Sequence, residues 1–527
     1  MDHRLGIDVG GTHTDAVILD KENRLIAKTK ARTTPDVTSG IVQSLKQILA
    51  QPGVKAESIT YAMLGTTHCT NAITERKNLS TVAAVRLGAP ATLSIPPLYS
   101  WPKDLRERIA RKTFILDGGH EYDGREIAPL NEKQIARMIR EISCKVESVA
   151  ITSVFSPVNA THELALAEKL RAAFGDKVSI SLSHEIGSLG LLERENACVL
   201  NSALMKTARL AFSGFLDAMK QQGIYAQLFL GQNDGTLMSA DFALRYPILT
   251  IASGPSNSLR GGAFLSGLKD AIVVDVGGTT TDVGVLVDGF PRESALAVDI
   301  GDVRTNFRMP DLMSKGLGGG SYVRQEKGQV RVGPDSVGYR LEEEAIVFGG
   351  KTFTATDVAV AKGRADIGDR RKLSKAQLDL ARKADDEIQR MVEQCIDGLK
   401  LSAAPVPVVL VGGGSVLLSD KIEGASKVYR PDHLDVANAI GVAIAPVSAQ
   451  IDRVFSYEAF SREQALVEAK SQLIEKTQLA GADKDAIEIV ELDEIAMGYL
   501  PGHAVRIKAK AAGPLSRSRV ATGAAVS

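Results

Sequence analysis

The sequence predicts an α/β protein made of two homologous halves, and three observations predict it. The octapeptide DVGGTHTD at residues 8–15 returns as DVGGTTTD at residues 275–282, with only His13 against Thr280 differing. Both copies sit between apolar runs, LGIDVGGTHTDAVILD and AIVVDVGGTTTDVGVLV, that read as two short strands about a glycine turn, hence β-hairpins. Around them helical periodicity alternates with buried-strand runs, the signature of a layered α/β architecture. A unit that recurs once at long range marks duplicated halves, since solenoid repeats come every few tens of residues.

Taken in order, the first hairpin is followed by helical patterns at VTSGIVQSLKQILAQ and LNEKQIARMIREI, then a strand at VESVAITSVF. A second segment opens near Ser183 with the long helical run GSLGLLERENACVLNSALMKTARLAFSGFLDAMKQQG, which leads to a strand at AQLFLGQNDG. After the second hairpin, residues 288–350 are rich in glycine and polar residues, and KGLGGGSYVRQEKGQVRVGPDSVG is expected to be loop. The helix KLSKAQLDLARKADDEIQRMVEQCIDGL, its charges on a solvated face, delivers the chain to the strand PVPVVLV. From about Ile451 a shorter α+β module is expected: one helix, then strands at AIEIVELDEI and HAVRIKAKAAG, and a frayed tail from Ser516. The expected units are therefore 1–182, 183–450 and 451–527.

Composition excludes some functions. With 44% hydrophobic and 24% charged residues the chain is an ordinary globular sequence, long enough that core size is no constraint. Its 63 basic and 63 acidic residues cancel, so no surplus recruits nucleic acid or an acidic membrane, and a small-molecule ligand is expected instead. Cys69, Cys144, Cys198 and Cys395 are scattered and form no CxxC pair, which fits a reducing cytoplasm better than a zinc or disulfide framework. The N-terminus MDHRLGIDVGG carries no signal pattern, and no long uncharged apolar stretch follows.

Each octapeptide has the chemistry of a phosphate grip. Gly10 and Gly11, like Gly277 and Gly278, let backbone approach a ligand and aim N–H groups into a concavity. Thr12, Thr14, Thr279 and Thr281 add hydroxyl donors, and Asp15 and Asp282 close each motif. Asp8 and Asp275 end a strand at the carboxyl edge of a sheet, where a carboxylate can hold the waters around Mg²⁺. Two such loops facing each other would grip one polyphosphate from both sides. One DVGGT alone is as well read as a plain turn, but turn chemistry does not require the same Asp, glycines and threonines twice.

The stretch VVLVGGGSVLL ends a strand in Gly412, Gly413 and Gly414, which lets a flat base lie against bare backbone; a simple strand-to-helix turn explains it equally well. Ala437, Ala439 and Gly441 in the following RPDHLDVANAIGVAIA permit close packing beneath that turn. Two decoys fail. FGGKTFT has Ala345 where a P-loop needs glycine, and KGLGGGS has Ser321 where a dinucleotide fingerprint needs its last glycine.

The three phosphate and nucleoside elements, in this order, resemble the actin, hexokinase and heat-shock-chaperone superfamily, with two actin-like (ribonuclease H-like) lobes around an ATP cleft. LGTTHCTNAITERK, FSPVNATHE, SHEIGSLGLLERENACVLNSAL, QNDGTLMSADFALRYPILTIASGP, GLGGGS with VGPDSVG, and TATDVAVAKG are similar to segments of the hydantoinase/oxoprolinase family across nearly the whole chain. His68 and Cys69, residues 233–235, and Ser256 with Asn257 depart from that family's pattern and bear on substrate identity.

The resemblance implies ATP and Mg²⁺ as cofactors, with Gly254 of the SGP motif added to the nucleotide site. It implies ATP-dependent opening of a hydantoin, 5-oxoproline or related lactam through carbonyl phosphorylation, with Asp8 and Asp275 catalytic and metal-positioning. Thr66, Thr67 and Asn71 on a strand-to-helix turn are the substrate candidates, with His162 and Glu163 weaker ones; helix capping also accounts for all of these. His68 and Cys69 lack a third ligand at a recognised spacing and are expected to pack. The resemblance also implies a second catalytic subunit, because the longest relatives continue into another catalytic region, and leaves a homo-oligomer open. Two other readings share these loops: a subunit of an ATP-dependent ketone carboxylase, and a nucleotide-dependent regulator of a companion subunit.

Overall fold

The octapeptides are hairpins of one design. In the computed structural model, which describes residues 2–32, 37–142, 146–294, 297–457, 461–498 and 503–516, strands His3–Val9 and His13–Leu19 pair antiparallel with Asp8 opposite Asp15 and Val9 opposite Thr14. Strands Ala271–Val276 and Thr281–Val287 repeat that register, Asp275 opposite Asp282 and Val276 opposite Thr281. The turns match as well. The Gly10 N–H donates to the His13 carbonyl at 3.0 Å and the Gly277 N–H to the Thr280 carbonyl at 2.9 Å. Each hairpin then takes a parallel neighbour, Ile59–Thr66 in the first half and Val406–Val411 in the second.

The first hairpin belongs to a nine-stranded sheet. Its spatial order is Glu488–Ala496, Ala504–Gly513, Val447–Ser456, Leu237–Ser239, Gln227–Gly231, Ile59–Thr66, His3–Val9, His13–Leu19 and Leu25–Arg32. Sheet pairing thus runs across the sequence positions 182 and 450: strands on either side of both join one sheet. The C-terminal helix Arg462–Leu479 packs on this extension through Ala465, Ala469 and Leu473, and Lys510 ties it to Asp234 at 2.7 Å. The second hairpin sits in a sheet ordered Phe290–Pro291, Thr281–Val287, Ala271–Val276, Val406–Val411 and Ala425–Tyr429, with Leu312–Lys315 also paired to Thr281–Val287. A separate parallel sheet orders Ala110–Asp117, Val82–Ala89, Ser148–Ser153 and Ser179–Leu182.

Alternation explains the burial. Residues opposite each other in a hairpin share a face, so Val9 and Val276 enter apolar cores while Asp8 and Asp275 point the other way. The first core gathers Leu5, Ile7, Phe215 and Phe229, and the second gathers Val274, Ile388 and Leu410. Truncating either buried phenylalanine to alanine is expected to cost about 3–5 kcal/mol.

Helices Ser253–Ser266 and Ala437–Ile444 cross between the two hairpin sheets, and glycine makes the crossing possible. A Cβ on Gly261 would stand 1.8 Å from the Ala437 carbonyl oxygen, and one on Gly441 1.9 Å from that of Asn257. The small residues Ala437, Ala439 and Gly441 therefore serve close helix packing, and Gly6 lets the first strand meet Ala439 in the same way.

One expectation is corrected. The stretch 315–338 holds a hairpin, Ser321–Glu326 with Gln329–Ser336, because Val323 and Val332 face the second core and Lys327 with Gly328 takes the positive-φ turn that joins twisted strands. The C-terminal segment likewise begins with strand Val447–Ser456, ahead of its helix. Among the described residues no helix is long and apolar enough to cross a membrane. Cys144 and residues 517–527 of the expected tail lie outside the described residues.

Candidate functional site

Both hairpin turns open on one cavity of about 380 Å³ between the two sheets. From the first half Asp8, Gly10, Gly11, Thr12 and Asp15 line it, and from the second Asp275, Gly277, Gly278, Thr279 and Asp282. Gly412, Gly413 and Gly414 form another wall, and Gly254 brings the N-terminus of helix Ser253–Ser266, whose free N–H groups favour an anion. The turns meet: a Cβ on Gly278 would stand 2.7 Å from Thr12 Cγ2. Gly412 takes φ +82°, and a Cβ there would lie 2.2 Å from Asp275 Oδ1, so both backbone shape and space demand glycine.

The carboxylates crowd. Burial raises the Asp8 pKa to about 7, with the Asp15 and Asp275 charges adding to it and Asn257 and Asn438 opposing. Asn438 Nδ2 donates to Asp8 Oδ2 at 2.9 Å, while the buried Oδ1 has no hydrogen bond of good geometry although Asn257 stands beside it. Burial also raises Asp275, against the bond it accepts from Ser258 Oγ at 2.6 Å, and takes Asp282 to about 6 against a bond from Ser314. Asp15 pairs with Lys30 Nζ at 2.5 Å. A buried set of hard oxygen donors with one unsatisfied atom fits Mg²⁺, whose preferred ligands are carboxylates and the waters they hold.

The structure separates the threonines. Thr12 and Thr279 line the cavity, whereas Thr14 and Thr281, opposite Val9 and Val276, turn into the core, and Thr281 Oγ1 donates to the Leu317 carbonyl at 2.7 Å. Strand alternation alone excludes those two hydroxyls from the cleft. Thr67 lines the cavity, but Thr66 is buried behind it with its hydroxyl on His68 Nδ1, and Asn71 reaches back to Thr67 Oγ1 at 3.4 Å, outside the lining.

His162 is elsewhere, its ring centre 4.2 Å from that of His120 and tilted by 40°, in the lobe of the separate parallel sheet. The ligand atoms of His120, Glu126 and His162 lie within 4.8 Å of one another. The Gly119 N–H donates to His162 Nδ1 at 3.0 Å, which leaves the proton on Nε2 for Glu126 at 3.1 Å, while the buried His120 Nδ1 has no hydrogen-bond partner. Cys69 packs in an apolar cluster, and burial pushes its thiol up to about 11, leaving it unreactive.

Sequence reasoning missed Lys30, Ser258, Gly319, Thr356 and Asn438, all in the cavity wall. The glycine run rejected as a dinucleotide fingerprint braces the second turn: Gly319 and Gly320 donate N–H bonds to the Gly277 and Gly278 carbonyls at 3.0 and 2.8 Å. Asn438 sits in the small-residue stretch singled out for packing, so a lone polar side chain among alanines was the available signal. Lys30 carried none, because its role depends on the cross-strand pair Asp15–Lys30.

Models of one protein family match two long stretches: "Hydantoinase/oxoprolinase N-terminal region" over residues 4–174 and "Hydantoinase/oxoprolinase" over residues 194–375. The caprolactamase subunit alpha of Pseudomonas jessenii is 27% identical over 472 residues, covering 84% of this chain and 65% of that protein. The acetophenone carboxylase gamma subunit of Aromatoleum aromaticum is 26% identical over 412 residues, covering 72% and 56%. The crystal structure of the ATP-dependent caprolactamase from Pseudomonas jessenii superposes with a TM-score of 0.78 at 22% identity, over 98% of this chain and 88% of that one, which establishes a shared fold. The chain spans 56–65% of the length of these two curated relatives.

Proposed function

Because the chain belongs to the hydantoinase/oxoprolinase family, we propose that it is the ATP-binding subunit of a cytoplasmic enzyme that opens a cyclic amide. The ring is a hydantoin, 5-oxoproline or a related lactam. One observation carries this reading: two hairpins of identical register and turn face one cavity and touch through Thr12 and Gly278.

When bound, Mg²⁺-ATP would supply a phosphoryl group to the amide oxygen, which opens the carbonyl carbon to water; the ring C–N bond then breaks with nitrogen as the leaving group, and hydrolysis frees the phosphate. The chain's part is positioning and electrostatics. The N–H groups of residues 11–12 and 278–279 hold the polyphosphate, with the Thr12 and Thr279 hydroxyls beside them, while those of Gly10 and Gly277 close the turns. Asp8 and Asp275 would hold Mg²⁺ through its waters. The glycine turn at 412–414 takes the nucleoside, and Thr67, beyond the adjacent strand, stands on the substrate side. Asp8 Oδ1, which has no hydrogen bond of good geometry although Asn257 stands beside it, is the oxygen available to a cation or a proton. A separate second subunit completes the enzyme, as both similar proteins are named as subunits.

Similarity to an acetophenone carboxylase subunit supports a second reading, ATP-dependent carboxylation of a ketone, with the same nucleotide site. ADP release by the chain with its co-purified partner separates them across a panel of hydantoins, lactams and ketones with and without bicarbonate. Ring-opened product with one ADP supports cyclic amide opening. Turnover that requires ketone and bicarbonate moves the assignment to carboxylation. Nucleotide binding without turnover on any member leaves only a regulatory role.

A further inference from the structure

A larger cavity, about 540 Å³, lies at Gln232, past the end of strand Gln227–Gly231, and opens between helix Ala240–Arg245, strand Val447–Ser456 and helix Arg462–Leu479. We propose that it is a binding site for a small organic carboxylate, gripped by Arg453 and Lys476, with the ligand's apolar body against Phe242 and Phe307. The inference concerns a second small-molecule site and does not depend on the reaction proposed above.

Charge accounting carries it. The partly buried lining carboxylates are satisfied: Glu185 accepts from Arg245 at 2.5 Å, and both oxygens of Asp452 accept from Arg506 at 2.7 and 2.5 Å. Two cations are not. Among the described residues no carboxylate lies in ion-pair range of Arg453 or of Lys476, whose Nζ donates to the Glu185 backbone carbonyl at 3.2 Å and lies 5.7 Å from the centre of the Tyr246 ring. Burial pushes Lys476 down to about 8, and its neighbours Arg453 and Arg245 push the same way against Glu185. Two adjacent, poorly hydrated cations create demand for an anion that the protein itself does not supply.

The remaining wall narrows the ligand. Phe242, Ile248 and Phe307 are buried apolar side chains that offer a flat body a surface to cover. His184 also lines the cavity, and its Nδ1 is committed to the Glu163 carboxylate at 2.6 Å. That bond leaves Nε2 for a polar group of the ligand.

Titration calorimetry on the full chain without nucleotide tests this with matched pairs: benzoate against benzamide, and N-acetylglycine against N-acetylglycinamide. The carboxylates should bind at least about tenfold tighter than their amides, and Arg453→Gln and Lys476→Met should each weaken them by about tenfold, the scale of one charge-assisted contact. Arg453→Lys, which keeps the charge, should stay within a few-fold and guards against a variant that misfolds. Amides binding as well as carboxylates, or both neutral variants binding like the parent, would overturn the proposal. Consumption of the bound carboxylate during ATP turnover identifies it as substrate, and altered turnover without consumption identifies it as effector.

Discussion

The two hairpins share register, turn and parallel neighbour, yet their surroundings differ at each carboxylate. In the first, Asp15 is neutralised by Lys30 and Asp8 keeps one oxygen without a partner. In the second, hydroxyls do both jobs: Ser314 bonds Asp282 and Ser258 bonds Asp275. The turns beyond the neighbouring strands differ too, Thr66 and Thr67 running into helix His68–Thr74 where the second half has three glycines. Duplication preserved the backbone that grips a phosphate, and divergence of the side chains behind it gave the halves different work.

The largest expected effect is on that shared element. Asp8→Asn and Asp275→Asn should each reduce ATP turnover by roughly 10²–10³-fold with the fold intact by circular dichroism. They should part company in stability. Asp8→Asn removes a buried charge whose Oδ1 has no bond of good geometry, which offsets any loss of the Asn438 bond and leaves the melting temperature little changed, whereas weakening the Ser258 bond to Asp275 costs about 1 kcal/mol. Normal turnover in both variants would break the comparison.

A buried carboxylate outside the cleft sharpens it. Burial raises Glu163 as it raises Asp8, but the bonds from His184 and Ser183 and the Arg194 charge outweigh burial and hold Glu163 at about 2. A folded pKa below the unfolded value of roughly 4.3 means its stabilisation is complete above that pH and lost as pH falls through about 2. Glu163→Gln should therefore cost about 3 kcal/mol in urea unfolding at pH 7, with the gap to the parent shrinking below pH 4. A gap independent of pH would contradict the assignment.

Smaller effects separate the two glycine contacts. Gly412→Ala should lose about 2–3 kcal/mol and nucleotide affinity together, since it meets both Asp275 Oδ1 and a positive φ. Gly65→Ala, whose Cβ would stand 2.3 Å from Asp8 Oδ1 without the positive φ, should lose about 1–2 kcal/mol. Smallest is the difference between terminal partners. Lys30→Met should lower turnover by about tenfold and Ser314→Ala by under threefold, as an ion pair outweighs a hydroxyl bond.

Much of this was legible in the sequence, because the same Asp, glycines and threonines recur in one order and so mark two turns of one design, with Gly278 held to glycine by its approach to Thr12. In the triple glycine the requirement falls on Gly412 and Gly414, which meet Asp275 and the Gly277 carbonyl, whereas Gly413 and Gly254 stand clear of close neighbours. Thr14 and Thr281 were misplaced because a motif conceals alternation: a residue two places from a ligand-facing threonine in a turn enters a strand and turns inward. Lys30, Ser258 and Asn438 were illegible because each reaches the cleft from a separate element, and only tertiary packing makes them neighbours of Asp15, Asp275 and Asp8. The glycine run at 316–320 failed as a fingerprint and proved to be a brace, a role that composition does not encode.

The account rests on both turns holding one nucleotide. A crystal structure with Mg²⁺ and a non-hydrolysable ATP analogue tests it most directly. The expected result is N–H groups of residues 11–12 and of residues 278–279 on the same polyphosphate, with Asp8 and Asp275 facing the ion. An analogue bound by one turn alone, or seated outside this cavity, would contradict it.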